Sequence, residues 1–425
     1  MSSSIVPAIT QAENGKVLKP VQWRDPIVSA IMTALSILMT CMSSGNSRVS
    51  FIGATSWFTL GEVTIPALFT GIILSSCSLI ATAVIWIRAR QRRESNGWLV
   101  TIVGASFVLV FLIWTVAGKE SSVLPVVSLL SGGLLFATPL VYGALTGIIC
   151  ERTGVINIAI EGQLLLGAFF AVVAASLGGN PLYGLIAAPI AGMLVSVLLA
   201  LFTIKFRADH IVVGVVLNML VVGLTSFMFS TQLKNAPELN QALPLPTMPI
   251  PVLKDIPIIG PVLFNQTLLV YLMYVAVIAV QIALFSSRWG LRTRACGEHP
   301  KAADTVGIRV NALRWKNVIM AGAIAGLGGA VFTVGEGLAF SKNIAAGNGF
   351  IALAAMILGR WNPKGAFAAA LLFGFATNLG AIMQAVNAPI PAEFLLMIPY
   401  VVTIFAVAGF VGAVRAPAAE GVPYP

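Results

Sequence analysis

Apolar residues along the chain fall into twelve runs, separated by charged or Pro- and Gly-rich breaks. The runs cover residues 27–42, 65–87, 98–117, 123–149, 163–177, 182–203, 211–231, 267–285, 318–335, 350–359, 366–383 and 394–414. Crossing the ~30 Å core of a bilayer takes about 20 residues of α-helix, and most runs approach that length. None alternates apolar and polar residues as the strands of a membrane β-barrel do. Since backbone groups in lipid must bond within their own segment, the pattern predicts an all-α polytopic membrane protein with about twelve transmembrane helices.

Composition supports this prediction and excludes most other classes. Hydrophobic residues make up 58% of the 425 residues and charged residues 9%, against about 25% charged in ordinary globular domains. A chain this apolar cannot cover its surface with polar groups, which excludes a soluble enzyme, a secreted domain and a nucleic-acid-binding protein. The two histidines and four scattered cysteines lack the spacing of a metal site. We expect neither a metal nor a cofactor.

The net charge of +10 is explained by membrane topology. With the N-terminus inside and twelve alternating helices, 20 of the 25 Lys and Arg residues fall on the inner side. This asymmetry is typical of cytoplasmic loops, and it predicts that both termini are cytoplasmic. The cluster RARQRR at 88–93 fits the same explanation, with binding of anionic membrane lipid as the alternative.

Charged residues are absent from the central parts of the apolar runs. Ion-coupled transporters usually carry such residues, so coupling to an ion gradient is disfavoured. The sequence also has no HExxH motif, no paired aspartates on facing helices and no Ser/His pairing in the runs. We therefore expect that this chain is not an enzyme.

Two runs, 163–177 and 350–359, look too short to cross a bilayer. Each follows an interrupted stretch with the same tripeptide, Asn157-Ile158-Ala159 and Asn343-Ile344-Ala345. Short, interrupted segments at matching positions of two halves indicate a transport pathway. Candidate pathway residues are Asn157, Glu161, Gln163, Asn218 and Asn378. The alternative is that these side chains only hydrogen-bond neighbouring helices.

The longest inner loop, 286–316, contains a predicted short helix. Pro300 suits its first turn and Gly307 its C-terminal end. Ala302 and Ala303 give it a small-residue face that a partner could approach closely, and Asn311 could cap a second short helix reaching 317. The alternative is an amphipathic connector lying on the membrane. On the outer side, the Pro-rich segment 232–266 is a plausible cap or docking surface.

Several ordered motifs resemble one family of transporters. GEHPKAADTVGI at 297–308 is similar to the coupling loop of permease subunits in the ribose, branched-chain amino-acid and nucleoside group of ABC importers. ERTGVINIAIEGQLLLGAFF at 151–170, VVGVVLNML at 212–220 and ILGRWNPKGA at 357–366 resemble the nucleoside-type members. The resemblance covers about residues 120–415.

The resemblance implies a domain organisation and a coupling site. A ten-helix permease core would occupy 96–415, with two accessory transmembrane helices in 27–95 and cytoplasmic segments at 1–26 and 416–425. The coupling loop 286–316 would bind an ATPase. The residues implied to do so are Gly297, Glu298, His299, Pro300, Ala302, Ala303, Asp304, Gly307 and Ile308.

The resemblance also implies partners and a function. A separate ABC ATPase would supply the energy, since this chain has no GxxxxGK[ST] motif. An extracytoplasmic binding lipoprotein would deliver the substrate, and a second, different permease would complete the pathway in the bacterial cell membrane. The implied function is nucleoside import. The alternatives are a simple-sugar importer of the same class, an ion-coupled secondary transporter, or a membrane scaffold that transports nothing.

Overall fold

The structure is a computed structural model that describes residues 23–51, 61–93, 96–119, 122–241, 243–386, 388, 390–410 and 415–424. Most of the predicted cytoplasmic segment 1–26 lies outside these residues, as do the last residues of the twelfth predicted run. All twelve apolar runs contain a helix, in agreement with the predicted all-α architecture.

Fifteen α-helices form the described part of the chain. They are α1 Arg24–Met42, α2 Ala67–Arg90, α3 Gly97–Val116, α4 Val126–Glu151, α5 Ile160–Gly178, α6 Pro181–Ala200, α7 His210–Met228, α8 Ile259–Leu263, α9 Leu268–Ser286, α10 Arg288–Glu298, α11 Pro300–Thr305, α12 Val310–Ala330, α13 Asn348–Leu358, α14 Pro363–Ala385 and α15 Ala392–Phe410. One π-helical turn extends each of α6, α7 and α12, over Leu201–Lys205, Phe229–Leu233 and Val331–Gly335. Five short strands lie between helices: β1 Asn46–Ser50, β2 Glu62–Pro66, β3 Val123–Pro125, β4 Thr247–Pro249 and β5 Asn265–Thr267.

Ten helices in the described part of the chain are long and apolar enough to cross a membrane. They are α1–α7, α9, α12 and α14, while α13 and the segment Ala392–Thr403 of α15 are shorter apolar helices. With these two included, the helices match the twelve predicted runs. The chain is therefore a polytopic α-helical membrane protein.

Of the two runs predicted to be too short to cross a bilayer, only 350–359 forms a short helix. α13 has 11 residues, or about 16 Å of helix, and is short as predicted. α5 has 19 residues, or about 28 Å, because it begins at Ile160, three residues before the predicted start. The candidate pathway residues Glu161 and Gln163 therefore lie inside its first turn.

One compact unit consists of α1, α2, α3, the strands β1–β3 and residues 383–391. α1 and α2 meet through hydroxyl groups: the Oγ1 of Thr33 lies 2.7 Å from the Oγ of Ser78 and 2.8 Å from the Oγ1 of Thr82. α3 packs on α2 through apolar side chains, with Val103 buried against Ala81 and Ile85. β1 pairs antiparallel with β2 and parallel with β3. The packing joins α3 to the two helices that the sequence predicts as accessory, and the boundary at residue 95 remains a prediction.

The second compact unit holds residues 127–382 and the chain from 392 onward. Its centre is the contact among α5, α6 and α12, where small residues let the backbones approach closely. A Cβ on Gly326 would overlap the carbonyl oxygen of Ala188, and one on Gly322 would overlap the side chain of Ser196. Glycine at these two positions is therefore what allows α12 to lie against α6.

The inner loop has the predicted short helix, α11. His299 caps it, since its Nδ1 accepts the N–H of Ala302 at 3.2 Å, and Gly307 follows it with a left-handed φ of +84°. The prediction of a second short helix reaching 317 is wrong, because the long helix α12 runs without a break from Val310. Asn311 lies in the first turn of that long helix and does not cap it.

The outer segment 232–266 is more ordered than its proline content suggests. β4 lies within the segment and pairs antiparallel with β5, which lies at its end. The side chain of Asn240 donates to the carbonyl of Phe340 at 3.0 Å and accepts the N–H of the same residue at 2.7 Å. The N–H of Leu245 donates to the carbonyl of Val334 at 2.8 Å. The segment is thereby fixed to the chain that follows α12.

Candidate transport site and coupling region

Glu161, in the first turn of α5, holds the N-terminus of α13. Its Oε1 accepts the N–H of Gly347 at 2.8 Å, and its Oε2 accepts the N–H of Gly349 at 2.6 Å. The first N–H groups of a helix have no partner within the helix, and a carboxylate there is favoured by the helix dipole. Glu161 thus caps a helix almost two hundred residues away in the sequence.

Asn218, on α7, spans the break that precedes α5. Its Oδ1 accepts the N–H of Gly162 at 2.8 Å, and its Nδ2 donates to the carbonyl of Ile158 at 2.9 Å. One amide therefore bonds the backbone on both sides of the break. This arrangement fixes the start of α5 against α7.

A cavity of about 540 Å³, here called the path cavity, lies where α5, α7 and the N-terminus of α13 meet. Glu161 and Asn218 give it a carboxylate and an amide, and Phe350 gives it a half-exposed aromatic face. Its full lining is Glu161, Asn218, Met219, Val222, Gly223, Asn343, Gly347 and Phe350. A mainly apolar wall with a few polar groups is typical of small-molecule sites, which measure about 300–1,000 Å³.

The structure brings two of the five candidate pathway residues to this cavity. Asn157 and Gln163 are fully buried beside it: the Nδ2 of Asn157 donates to the Oε1 of Gln163 at 3.1 Å, and the Nε2 of Gln163 donates to the Oγ of Ser196 at 2.8 Å. Asn378 lies elsewhere, on α14, and donates to the carbonyl of Leu129 at 2.8 Å. Gln163 and Asn378 therefore make the interhelical bonds of the alternative interpretation, and Asn157 bonds Gln163 from the break between α4 and α5.

Six of the eight lining residues were not among the predicted site residues, and three of these six lie before or at the start of α13: Asn343, Gly347 and Phe350. Asn343 belongs to the repeated tripeptide, so the sequence did carry a signal for it. Gly347 and Phe350 were missed because their contact with α5 depends on the tertiary fold. The close approach is visible at Gly349, where a Cβ would lie 2.5 Å from the backbone nitrogen of Glu161.

The predicted coupling residues divide into an inward and an outward set. Ala303 is buried and clusters with Cys296 and Val310, so it does not belong to an exposed face as predicted. Ala302 and Asp304 are exposed. Any partner that binds α11 would therefore contact these two residues and would leave Ala303 inside this chain.

Gly297 and Glu298, at the end of α10, contact other parts of the same chain. A Cβ on Gly297 would overlap the carbonyl oxygen of Arg152, so α10 ends directly against the end of α4. The carbonyl of Gly297 accepts the N–H of Ala419 at 2.8 Å. The carboxylate of Glu298 accepts the N–H of Ala418 at 3.4 Å.

A second cavity, of about 690 Å³, lies between α10, the end of α11 and the start of α12. Arg292, Arg309 and Lys316 line it, together with the exposed apolar residues Leu291 and Val306. It gives the surface beside α11 a positive charge. Across the residues that the structure describes, no group of three His, Cys, Asp or Glu side chains could hold a metal ion.

Comparison of the sequence with known proteins shows the family of this chain. Residues 129–407 match the family described as branched-chain amino acid transport system / permease component. The guanosine ABC transporter permease protein NupQ of Bacillus subtilis is 41% identical over 68% of this chain and 94% of its own length. The nucleoside ABC transporter permease protein NupC of Lactococcus lactis is 40% identical over the same shares. The putative glucose ABC transporter permease protein TsgC13 of Haloferax volcanii is 32% identical over 61% of this chain and 78% of its own.

No solved structure matches the chain significantly. The family match covers α4 through most of α15, which includes the path cavity and the coupling region. The chain belongs to the branched-chain amino acid transport system / permease component family. It is a transport component and a multi-pass protein of the bacterial cell membrane.

Proposed function

We propose that this chain is the membrane-spanning permease subunit of an ATP-driven ABC importer of nucleosides. The path cavity carries the proposal, because it places a carboxylate, an amide and an aromatic face together within the membrane-spanning helices. The names of the two relatives at about 40% identity support the nucleoside class.

The chemistry of the path cavity suits a nucleoside. Each oxygen of Glu161 accepts one backbone N–H and keeps a lone pair that can accept a sugar hydroxyl. Asn218 donates one of its two amide hydrogens to Ile158, which leaves one for a base or sugar oxygen. Phe350 offers a flat face on which a base can stack. A simple sugar would use the first two groups but has no planar base to stack on the third.

Asn157, Gln163 and Asn378 serve the pathway indirectly in this proposal. Asn157 and Gln163 brace the break before α5 against α6 through Ser196, so they fix the direction of Glu161. Asn378 holds α14 to α4. Substitution of these residues should change the shape of the pathway more than its affinity for substrate.

The segment 297–308 is the proposed binding site for a separate ABC ATPase, which hydrolyses the ATP. The exposed residues Ala302 and Asp304 lie beside the second cavity, whose wall carries Arg292, Arg309 and Lys316. In the described part of the chain none of these three cations forms an ion pair, so they are available to acidic groups of a partner.

A second permease and a substrate-binding lipoprotein complete the proposed transporter. Apolar side chains on α7 beside the path cavity are exposed, with Met219 at 70% and Val216 at 56%. We propose that a second, different permease covers this face, so that the pathway runs between two chains. The lipoprotein delivers substrate on the outer side, and both termini are cytoplasmic, as the distribution of Lys and Arg predicts.

The test is uptake of labelled guanosine, cytidine, ribose and glucose by cells with and without this chain. Loss of nucleoside uptake with sugar uptake unchanged is the expected result. Loss of sugar uptake alone would favour the sugar importer, for which the glucose-type relative is the precedent.

Two further rivals need a second measurement. Collapse of the membrane potential at constant ATP should leave uptake intact, and uptake that stops with the potential would favour an ion-coupled transporter. No change in uptake of any substrate on deletion would favour a scaffold.

A further inference from the structure

The segment 416–424, here called the strap, connects two functional regions of the second unit. The N–H of Ala419 donates to the carbonyl of Gly297 at 2.8 Å. Gly297 begins the segment 297–308, here called the coupling segment. Two residues after Ala419, the N–H of Gly421 donates to the carbonyl of Gly154 at 3.1 Å. Gly154 lies in the turn 152–159 between α4 and α5, here called the signature turn. The strap therefore bonds the coupling segment with one residue and the signature turn with another.

Arg314, on α12, fixes the strap from the other side. Its side chain is only 1% exposed, and a buried charge is costly unless it is hydrogen-bonded. Its Nε donates to the carbonyl of Thr153 at 3.2 Å and its Nη1 to the carbonyl of Val422 at 3.0 Å. One guanidinium thus holds the strap and the signature turn together.

Side chains of the strap add to these backbone bonds. The carboxyl of Glu420 lies within hydrogen-bonding reach of that of Glu151, and Glu151 also accepts the indole N–H of Trp361 at 2.5 Å. Gly421 has a left-handed φ of +73°, and a Cβ there would lie 2.7 Å from the side chain of Ile156. The strap is therefore fitted closely to residues 151–156.

These contacts form a continuous route from the coupling segment to the path cavity. Gly297 is bonded to the strap, the strap to Gly154, and the turn from Gly154 leads directly into α5, where Glu161 lines the cavity. A displacement of the coupling segment can reach the turn through these bonds, in addition to the direct contact between Gly297 and Arg152.

We propose that the strap is a positioning element that couples movement of the segment 297–308 to the start of α5, and thereby couples ATP hydrolysis to substrate movement. The proposal rests on the proposed function, since it takes the segment 297–308 as the ATPase binding site. The residues of the strap do not line the path cavity. The strap acts through the signature turn.

The experiment compares uptake and ATP hydrolysis by the full transporter reconstituted in proteoliposomes. The variants are a deletion of residues 417–425 and the substitutions Glu420→Ala and Glu420→Gln. Val422→Ala is the matched control, since the side chain of Val422 is exposed and only its carbonyl oxygen is used. The readout is the number of nucleosides imported per ATP hydrolysed.

We expect the deletion to lower this ratio at least tenfold while the ATPase still co-purifies and hydrolyses ATP. Glu420→Ala should lower it about threefold, and Glu420→Gln, which keeps a hydrogen bond to Glu151, should restore most of it. If the deleted chain fails to accumulate, the pair at position 420 still decides the matter. An unchanged ratio in Glu420→Ala and in any deletion that accumulates would overturn the proposal.

Loss of the ATPase from the purified variants would also overturn it, because the strap would then belong to the docking surface. Failure of the proposed function is distinguishable. In that case the unmodified transporter itself would show no ATP-dependent nucleoside uptake.

Discussion

The carboxylate of Glu161 lies 2.6 Å from the backbone nitrogen of Gly349, so the first turn of α5 holds the first turn of α13. Two polar helix ends in the membrane-spanning region thereby stabilise each other. Because hydrogen bonds to a charged group contribute more than neutral ones, this contact should matter for both stability and transport.

The variant Glu161→Ala should lower the free energy of unfolding by about 2 kcal/mol, the scale of a hydrogen bond to a charged group, and abolish uptake. Glu161→Gln keeps one acceptor oxygen and should lose less stability. Thermal unfolding in detergent and uptake in cells measure the two effects. The exposed Glu238 supplies the control, Glu238→Gln, and normal uptake by Glu161→Ala would contradict the assignment of the path cavity.

Phe350 should distinguish nucleosides from sugars. Stacking of a base on an aromatic side chain is worth about 1–3 kcal/mol, so Phe350→Ala should reduce nucleoside uptake about tenfold and any sugar uptake by a clearly smaller factor. Phe350→Tyr should behave like the unmodified chain. Phe394→Ala, at an exposed phenylalanine of α15, is the control, and equal losses for both substrate classes would speak against stacking.

Ala302 and Ala303 should respond differently to a bulky charge. Ala302→Glu places the charge on an exposed position, so it should prevent ATPase co-purification while thermal stability stays within error. Ala303→Glu buries the charge among Cys296 and Val310 and should destabilise the chain itself. Purification with the ATPase and thermal unfolding separate the two. Retained ATPase in Ala302→Glu would argue that α11 is not the docking site.

Asn240 should control access to the outer segment. Asn240→Ala removes both bonds to Phe340, each worth about 1 kcal/mol, and should free the segment for cleavage by protease added from outside. Gln241→Ala, at the neighbouring exposed side chain, should leave the cleavage rate unchanged. Equal cleavage rates for the two variants would show that the segment is held by other contacts.

Glu336 should make stability depend on pH near neutrality. Burial raises the pKa of its carboxyl from 4.5 to about 7, so the folded chain binds this proton more tightly than the unfolded chain. Its contribution to stability is present at low pH and is lost as pH rises from 4.5 to about 7, and above that it no longer changes. Unfolding temperatures of the unmodified chain and of Glu336→Gln, measured between pH 5 and 8, should diverge in slope over this window. Parallel curves would contradict the shift.

The membrane-spanning helices could be predicted because apolar length alone decides them. The start of α5 could not, since its first turn is polar and is stabilised by Asn218 from α7 and by the N-terminus of α13. Periodicity within a run carries no information about such long-range partners. Asn343 could be found from the sequence because it belongs to the repeated tripeptide Asn-Ile-Ala. Phe350, three residues beyond Gly347, belongs to no such repeat and could not be found.

The coupling region shows the same limit. Pro300 and Gly307 mark the two ends of α11 through their own backbone preferences, so the ends of this helix could be predicted from the sequence. Which of two adjacent alanines faces inward depends on the cluster of Cys296 and Val310. Nothing in the composition of residues 416–424 indicates that Ala419 and Gly421 bond to Gly297 and Gly154.

Because α13 is short, part of its backbone lies inside the membrane, where it needs polar partners or water. A helix of about 16 Å cannot cross a hydrocarbon core of about 30 Å, so at least one of its ends lies within the depth of the lipid tails. Backbone N–H groups at such a depth need hydrogen-bond acceptors. The carboxylate of Glu161 is that acceptor at the N-terminus of α13, beside the path cavity. Glu161 does not hold the N–H groups of residues 343–345. Their amide hydrogens should therefore exchange with deuterium faster than those of α5 or α12, and they mark the point at which water reaches the backbone inside the membrane.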